Sequence, residues 1–419
     1  MNSLGQFAHG SFGNRHELLM KTAERPPFEL VRGRGVWVED SNGIEYLDFI
    51  QGRGINSLGH SPDVLRLCLT RQAGLLLHGG SQFHHRNTLD LAQVLIDHSC
   101  FDEVFFAGSG TEAVECAIKL ARKWGKLKKD RAFDIVTVTG AYHGRTFGSM
   151  SATDKTDWHS TFAPLPHGFS KVAFNDVDAL DRSVGRHTAA IIFELVQGEA
   201  GVIPATPEFV RRARQLCDMH DAMLIFDEVQ TGIGRIGPLF GYERFGVEPD
   251  VVTIGKGLGG GLPISAVLVK KHASVFSIGD HGGTYNGGPL VTAAALAVLQ
   301  HILAEGLLQR INETGSYLSA SLAQLSACYG LGDVSGLGML LRMGLPGPIG
   351  PKIVHYGHAV LPYTASGYWA GRGLLLNSPR PDCLRFMPAL NTNRSEVDRL
   401  VDGLSSVLAV ISRQDLDPW

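Results

Sequence analysis

The chain has 419 residues, 44% of them hydrophobic and 19% charged, which is enough apolar mass for more than one core and excludes an intrinsically disordered protein. A net charge of −3 with no basic block gives a nucleic-acid partner no electrostatic support. Six scattered cysteines (Cys68, Cys100, Cys116, Cys217, Cys328, Cys383) and 17 histidines, with no H-E-x-x-H and no paired C-x-x-C, argue against both a disulfide framework and a metal centre.

The N-terminus shows no charged segment leading into an apolar stretch, and no apolar run reaches the ~18 residues of a membrane span. A cytoplasmic protein without membrane contact is therefore expected. Residues 36–38 and 46–49, alternating around Asn42-Gly43, predict a β-hairpin. From about residue 61 onward, short apolar strands at 104–107, 135–138, 189–193, 223–226, 251–254 and 266–269 alternate with helical patterns such as 111–124 and 207–220. That alternation predicts an α/β fold with a mostly parallel sheet covered on both faces. Ala-rich 289–303 reads as a buried helix, and helical periodicity continues to about residue 325. A strand at 339–343, a Gly/Pro-rich connection at 344–351 and a helix from Ser395 complete the chain. The expected organisation is a large domain over 61–301, with a small α+β domain formed by 1–60 together with 302–419.

Three strand ends carry candidate chemistry. Gly108-Ser109-Gly110-Thr111-Glu112-Ala113 follows an apolar strand and opens a helix. Small residues at a helix N-terminus let backbone N–H groups reach an anion such as a phosphate; an ordinary turn with a Ser/Thr cap reads the same way. The segment also matches a loose G-x-G-x-x-A dinucleotide fingerprint, but no acid closes the following strand to hold a ribose; a nicotinamide-dependent oxidoreductase rests on that weak match alone. Asp227 ends the apolar run Leu224-Ile225-Phe226, where a buried carboxylate needs a positive partner such as a protonated pyridine nitrogen; a solvated acid or a helix cap is the plainer alternative. Lys256 ends the run 251–254 among glycines, where desolvation would make a neutral amine available for imine chemistry, unless it is simply a surface lysine. Taken together, phosphate cradle, pyridinium counter-ion and imine-forming lysine are the fixtures that pyridoxal-phosphate (PLP) chemistry requires.

With Tyr46-Leu47-Asp48-Phe49, Asn56-Ser57-Leu58-Gly59-His60, His143-Gly144-Arg145-Thr146, Gln197-Gly198-Glu199-Ala200-Gly201 and the stretch 227–235 in the same order, the chain resembles the class III aminotransferases of PLP fold type I, nearest the acetylornithine/ornithine branch. The resemblance implies the following roles. Lys256 holds PLP as a Schiff base and shuttles the proton. Ser109, Gly110 and Thr111 hold the phosphate, Tyr142 stacks on the ring, Asp227 pairs with the ring nitrogen, and Glu194 and Gln230 complete the cofactor site. Arg385 grips the α-carboxylate of substrate, Glu199 masks that arginine in one half-reaction, and Arg145 receives the far end of an acylated donor. Thr284 reaches the phosphate of a neighbouring subunit, which implies a homodimer, and Gly283 stands where a substrate-contacting Ser is common. Leu195 replaces a Pro, Val114 replaces an Asn, and 81–85 replaces a more aromatic rim. The implied reaction is transamination from N-acetylornithine, ornithine or succinylornithine to 2-oxoglutarate, giving glutamate. A diamine or 4-aminobutyrate transaminase, or an aminomutase, would keep Lys256 and Asp227 and differ in the pocket; a binding protein without catalysis would have no use for Lys256.

Overall fold

The computed structural model describes residues 17–304, 306–359, 369 and 371–414. Seven strands form the central sheet in the order Glu103–Ala107, Ser265–Val269, Val251–Ile254, Met223–Glu228, Thr188–Phe193, Asp134–Val138 and Phe169–Val172. Only Ser265–Val269 runs antiparallel to its neighbours; the remaining pairings are parallel, so the sheet is mixed and mostly parallel as expected. Every residue of Thr188–Phe193 and Val251–Ile254 is buried, which is why those segments read as unbroken apolar runs rather than as alternation.

Helices cover both faces. Ala113, Ala117 and Ala121 of the helix Gly110–Lys128 pack with Ile192, Ile225 and Val251 on one side. Phe209, Val210 and Ala213 of the helix Pro207–Met219 pack with Ile191, Phe193 and Phe226 on the other, where the helices Asp63–Ala73, Arg86–Asp97 and Pro289–Ala304 add Leu65, Leu91 and Val298. The apolar positions of each helix recur at three- and four-residue spacing, so one face of each is buried.

The expected hairpin is present. Trp37–Asp40 pairs antiparallel with Glu45–Asp48, and Asp40 Oδ1 accepts from the N–H groups of Asn42 and Ile44 at 2.9 Å each, closing the turn around Gly43 at φ 80°. Leu30–Arg34 adds to one edge of this hairpin and Arg372–Leu375 to the other, so segments distant in sequence share one sheet. A second four-stranded sheet, Val334–Leu337, Leu340–Gly344, Cys383–Phe386 and Asn377–Arg380, is antiparallel. A separate core joins the two, built from Leu47, Phe49, Leu318, Leu341, Trp369, Leu384, Phe386, Leu400 and Leu404. The helices Leu307–Tyr329 and Arg394–Gln414 contribute to it.

Two expectations are corrected. The connection expected over 344–351 already contains the start of the helix Gly350–His358, because Pro351 occupies its first turn, where the missing N–H costs nothing. Likewise the helix expected to stop near 325 runs to Tyr329 and ends at Gly330, whose left-handed φ of 64° supplies the stop. Among the described residues no single helix is long and apolar enough to cross a membrane.

Candidate active site

Parallel strands deliver their carboxyl ends to one edge of a sheet. Ser109 to Thr111 follow Glu103–Ala107, Tyr142 follows Asp134–Val138, Glu194 follows Thr188–Phe193, Asp227 lies at the end of Met223–Glu228, and Lys256 follows Val251–Ile254. The sheet therefore gathers on one edge what the sequence spreads over 148 positions, from Ser109 to Lys256.

Asp227 is only 4% exposed. Its Oδ1 accepts from Val229 N at 3.1 Å and from Thr253 Oγ1 at 3.0 Å, and its Oδ2 lies 2.7 Å from Nδ1 of His143. The carboxylate is thus fixed from two directions. His143 belongs to a motif noted in the sequence, but no role was read for it. Its side chain is fully buried, and its Nε2 has no hydrogen-bond partner. The pairing was invisible in sequence because the strand Thr188–Phe193 lies between the strand that carries Asp227 and the strand that His143 follows.

Lys256 adopts φ 39°, a left-handed conformation costly for a residue with a Cβ and typical of functional positions. Burial pulls its amine below the usual lysine range and the Arg385 charge pulls the same way, while Glu199, Glu194 and Asp227 oppose. The Ser57 hydroxyl donates to Gly257 O at 2.8 Å and steadies the turn that follows. Glu194 accepts from Tyr142 N at 2.9 Å. Burial pushes its carboxyl up to about 7; His143 opposes this and the like charge of Asp227 adds to it.

Ser109 stands at the N-cap of Gly110–Lys128 without a side-chain cap bond, its hydroxyl turned instead to Glu112 Oε2 at 3.0 Å. The first N–H groups of a helix have no partner within it, so they are free for an anion. A Cβ on Gly110 would stand 2.6 Å from Val229 Cγ1, so this position admits glycine alone without a shift. Thr111 Oγ1 lies 2.7 Å from Ser149 Oγ and 3.0 Å from Thr146 Oγ1, a hydroxyl cluster at the same helix end.

Arg385, on Cys383–Phe386, has a side chain with no solvent exposure. Its Nη1 meets Glu199 Oε1 at 2.9 Å, its Nε donates to Asn377 Oδ1 at 2.9 Å, and its Nη2 has no partner. Burial alone would raise the Glu199 carboxyl, but the charge and hydrogen bond of Arg385 prevail and hold it below the usual range. Asn377 was missed in sequence, since its contact with Arg385 crosses between strands. Gly198 leaves room for both neighbours: a Cβ there would fall 1.6 Å from Gln230 Oε1 and 3.1 Å from Arg385 Nη1. Gln230 Nε2 also reaches Met387 Sδ at 3.4 Å. Arg145 is exposed, with its guanidinium 4.8 Å from the ring centre of Trp158, and Tyr142 meets the same ring edge-on at 6.3 Å. Gly283 and Thr284 lie exposed in the loop before Pro289, and no hydrogen bond among the described residues joins Thr284 to the groups above. Val114 and Leu195 are buried in apolar cores.

The aminotransferase class-III family model matches residues 19–408. The chain belongs to the class-III aminotransferases. It is 44% identical to acetylornithine aminotransferase 2 of Bordetella bronchiseptica, over 94% of this chain and 98% of that one. Among solved structures, it is similar to N-acetylornithine aminotransferase of Stenotrophomonas maltophilia (TM-score 0.78, 32% identity, 93% and 98% of the two chains). It is also similar to an ornithine aminotransferase of Toxoplasma gondii with partial occupancy of PLP at its active site (TM-score 0.87, 29% identity, 96% and 94% covered). Like its class, this aminotransferase uses PLP. The donor set fits that cofactor: a buried amine shifted toward its neutral form, a carboxylate fixed by three partners, and an uncapped helix start beside a glycine that admits no Cβ.

Proposed function

We propose that this aminotransferase takes the terminal amino group of N-acetylornithine, or of ornithine or succinylornithine, and passes it to 2-oxoglutarate, which leaves as glutamate in a ping-pong cycle. The observation that carries this reading is the pair of buried Arg385 with the partly exposed Glu199, whose charges both act on Lys256. The donor's reacting end carries no carboxylate, whereas 2-oxoglutarate has one beside its keto carbon. With Glu199 in place the guanidinium is masked; with Glu199 swung aside, Nη1 and the unpartnered Nη2 form a two-pronged clamp for that carboxylate. The relatives named as acetylornithine aminotransferases favour the acetylated donor.

Bound PLP supplies an aldehyde for the amino group and a ring that draws electrons from the reacting carbon. Asp227 would face the ring nitrogen, held by Thr253, Val229 and His143; Ser109, Gly110 and Thr111 would take the phosphate; Tyr142, braced by Glu194, would cover the ring, with Gln230 near its hydroxyl. Lys256 Nζ, whose hold on a proton burial weakens, takes the proton from the substrate carbon and returns it. Arg145, exposed on the Trp158 ring, is placed to meet the far end of an acylated donor. The active protein is a cytoplasmic homodimer in which Thr284 serves the partner's phosphate. Residues 61–301 form its large domain, and 1–60 with 302–419 its small one.

The test is a single-turnover absorbance series with N-acetylornithine, succinylornithine, ornithine, 4-aminobutyrate and a diamine, scored by glutamate formed on adding 2-oxoglutarate. Faster turnover of 4-aminobutyrate or the diamine than of the acylated donors would replace this reading with another class-III activity.

A further inference from the structure

A cavity of about 490 Å³ opens between the carboxyl edge of the central sheet and the antiparallel sheet Val334–Leu337, Leu340–Gly344, Cys383–Phe386, Asn377–Arg380. Arg342, Arg380, Asp382 and Cys383 line one side, and Thr139 and Gln197 the other. None of the residues assigned above to cofactor or substrate lines it. The chain segment 198–201 is its partition from the active site: a Cβ on Gly198 would stand 3.1 Å from Arg385 Nη1, whereas one on Gly201 would stand 3.6 Å from both Arg380 Cδ and Cys383 Sγ.

Arg342 is the anomaly in this cavity. It lies directly opposite Arg385 on the neighbouring antiparallel strand, and directly opposed side chains project from the same face of a sheet. Two like charges in that relation are unfavourable unless each is matched. Arg385 has Glu199 and Asn377. Arg342 Nε is buried without any hydrogen-bond partner, and the guanidinium runs along the strand over Gly344, where a Cβ would meet Nη2 at 3.2 Å. Asp333 Oδ1 borders the same point beside Gly344, but no ion pair between Asp333 and Arg342 forms among the described residues. Arg380 offers a second guanidinium, only loosely engaged by Asp382 at 4.0 Å.

We propose that this cavity is a second carboxylate site, separate from the reacting centre, in which Arg342 and Arg380 bind a small molecule bearing one carboxylate group. A planar guanidinium fork matches a carboxylate, and binding would satisfy the orphaned Nε and offset the like charge opposite Arg385. Asp382 at the cavity mouth disfavours a doubly charged phosphate. The Thr139 hydroxyl, which accepts from Phe174 N at 3.2 Å, keeps its own proton for a polar group on the ligand.

Thermal melting of the PLP-loaded enzyme in rising propionate, with ionic strength held constant by NaCl, tests the site. The melting temperature should rise to a plateau, and Arg342→Met should raise the half-saturating concentration about tenfold or more. Arg380→Met, at a more exposed position whose loss leaves the fold intact, should weaken it in the same direction. Arg385→Ala should retain the response, because the site lies behind the 198–201 partition. Inorganic phosphate should produce a smaller rise than propionate. A response unchanged in both Arg342→Met and Arg380→Met, or abolished by Arg385→Ala alone, overturns the proposal. So does the lack of a plateau in the parent enzyme, and an equal response to phosphate overturns the carboxylate assignment.

Discussion

Arg385 is a buried cation whose matching depends on one partly exposed acid, and that asymmetry sets what single substitutions should do. Glu199 holds one of its nitrogens while another waits unpaired. Removing the acid with Glu199→Ala should leave the guanidinium permanently available, so glutamate should gain as amino donor relative to N-acetylornithine in single-turnover absorbance traces. An unchanged ratio of the two donors would make Glu199 a structural acid. Arg385→Ala should weaken glutamate and 2-oxoglutarate by about 2–5 kcal/mol, much of it from leaving the substrate carboxylate in the site without its partner. At this scale the flanking residues foretell position, as for Lys256 among glycines after one strand and Asp227 at the buried end of another. The sequence was silent on His143 and Asn377, whose importance lies in what they touch on other strands of their sheets.

At the scale of elements, the strands of the central sheet were legible because burial on both faces demands continuous β-branched and aromatic runs. The strand Phe169–Val172 at the sheet's edge is only partly buried and was not distinguished from a loop. Glycines inside elements report packing that periodicity cannot. Gly125 lies within Gly110–Lys128, where Ala would be the better helix former by about 1 kcal/mol. A Cβ there, however, would sit 2.1 Å from the backbone oxygen of Ala132 and 3.1 Å from Ala189 Cβ. Because the obstacle is backbone, Gly125→Ala should destabilise the protein by about 1–3 kcal/mol in denaturant titration, despite its propensity gain. A second prediction concerns Glu228, which ends its strand by accepting from Gly241 N and, at 2.8 Å, from Tyr242 N. Burial pushes its carboxyl up to about 8, although those two N–H groups favour the charged form. Between the ordinary value of 4.5 and about 8 the folded chain holds a proton that the unfolded chain has released, so this group's contribution to stability declines as pH rises through that window. Glu228→Gln cannot titrate. Melting temperatures taken from about pH 5 to 8 should therefore move in the variant's favour, relative to the parent, as pH increases. A constant difference would mean that the backbone donors already hold Glu228 ionised at the acid end.

At the scale of the whole molecule, segments far apart in the chain meet in one sheet. The parallel pairing of Arg372–Leu375 with Glu45–Asp48 joins segments more than 320 positions apart, and no local signal encodes such a partner. One surface still asks for a cover. Leu75, Leu77, Phe83 and Tyr285 are 70%, 58%, 69% and 77% exposed, and Phe83 lines a cavity of about 310 Å³ between the stretches 76–89 and 286–289. His78 and Tyr285 meet edge to face at 5.5 Å, so these two stretches form one continuous surface. Large apolar side chains gathered in this way mark an interaction surface, and Thr284 stands exposed beside Tyr285 in it. A two-fold partner would cover the apolar groups and bring each Thr284 to the opposite active site, so that cofactor retention would depend on assembly. Phe83→Glu places a charge in the middle of this surface and leaves the buried cores untouched. Sedimentation velocity should show the parent enzyme as a dimer and Phe83→Glu shifted toward monomer, with PLP lost more readily on dilution. Thr284→Ala should weaken PLP retention while leaving the dimer intact. A parent enzyme that sediments as a monomer while saturated with PLP and fully active would remove the partner's Thr284 from the active site.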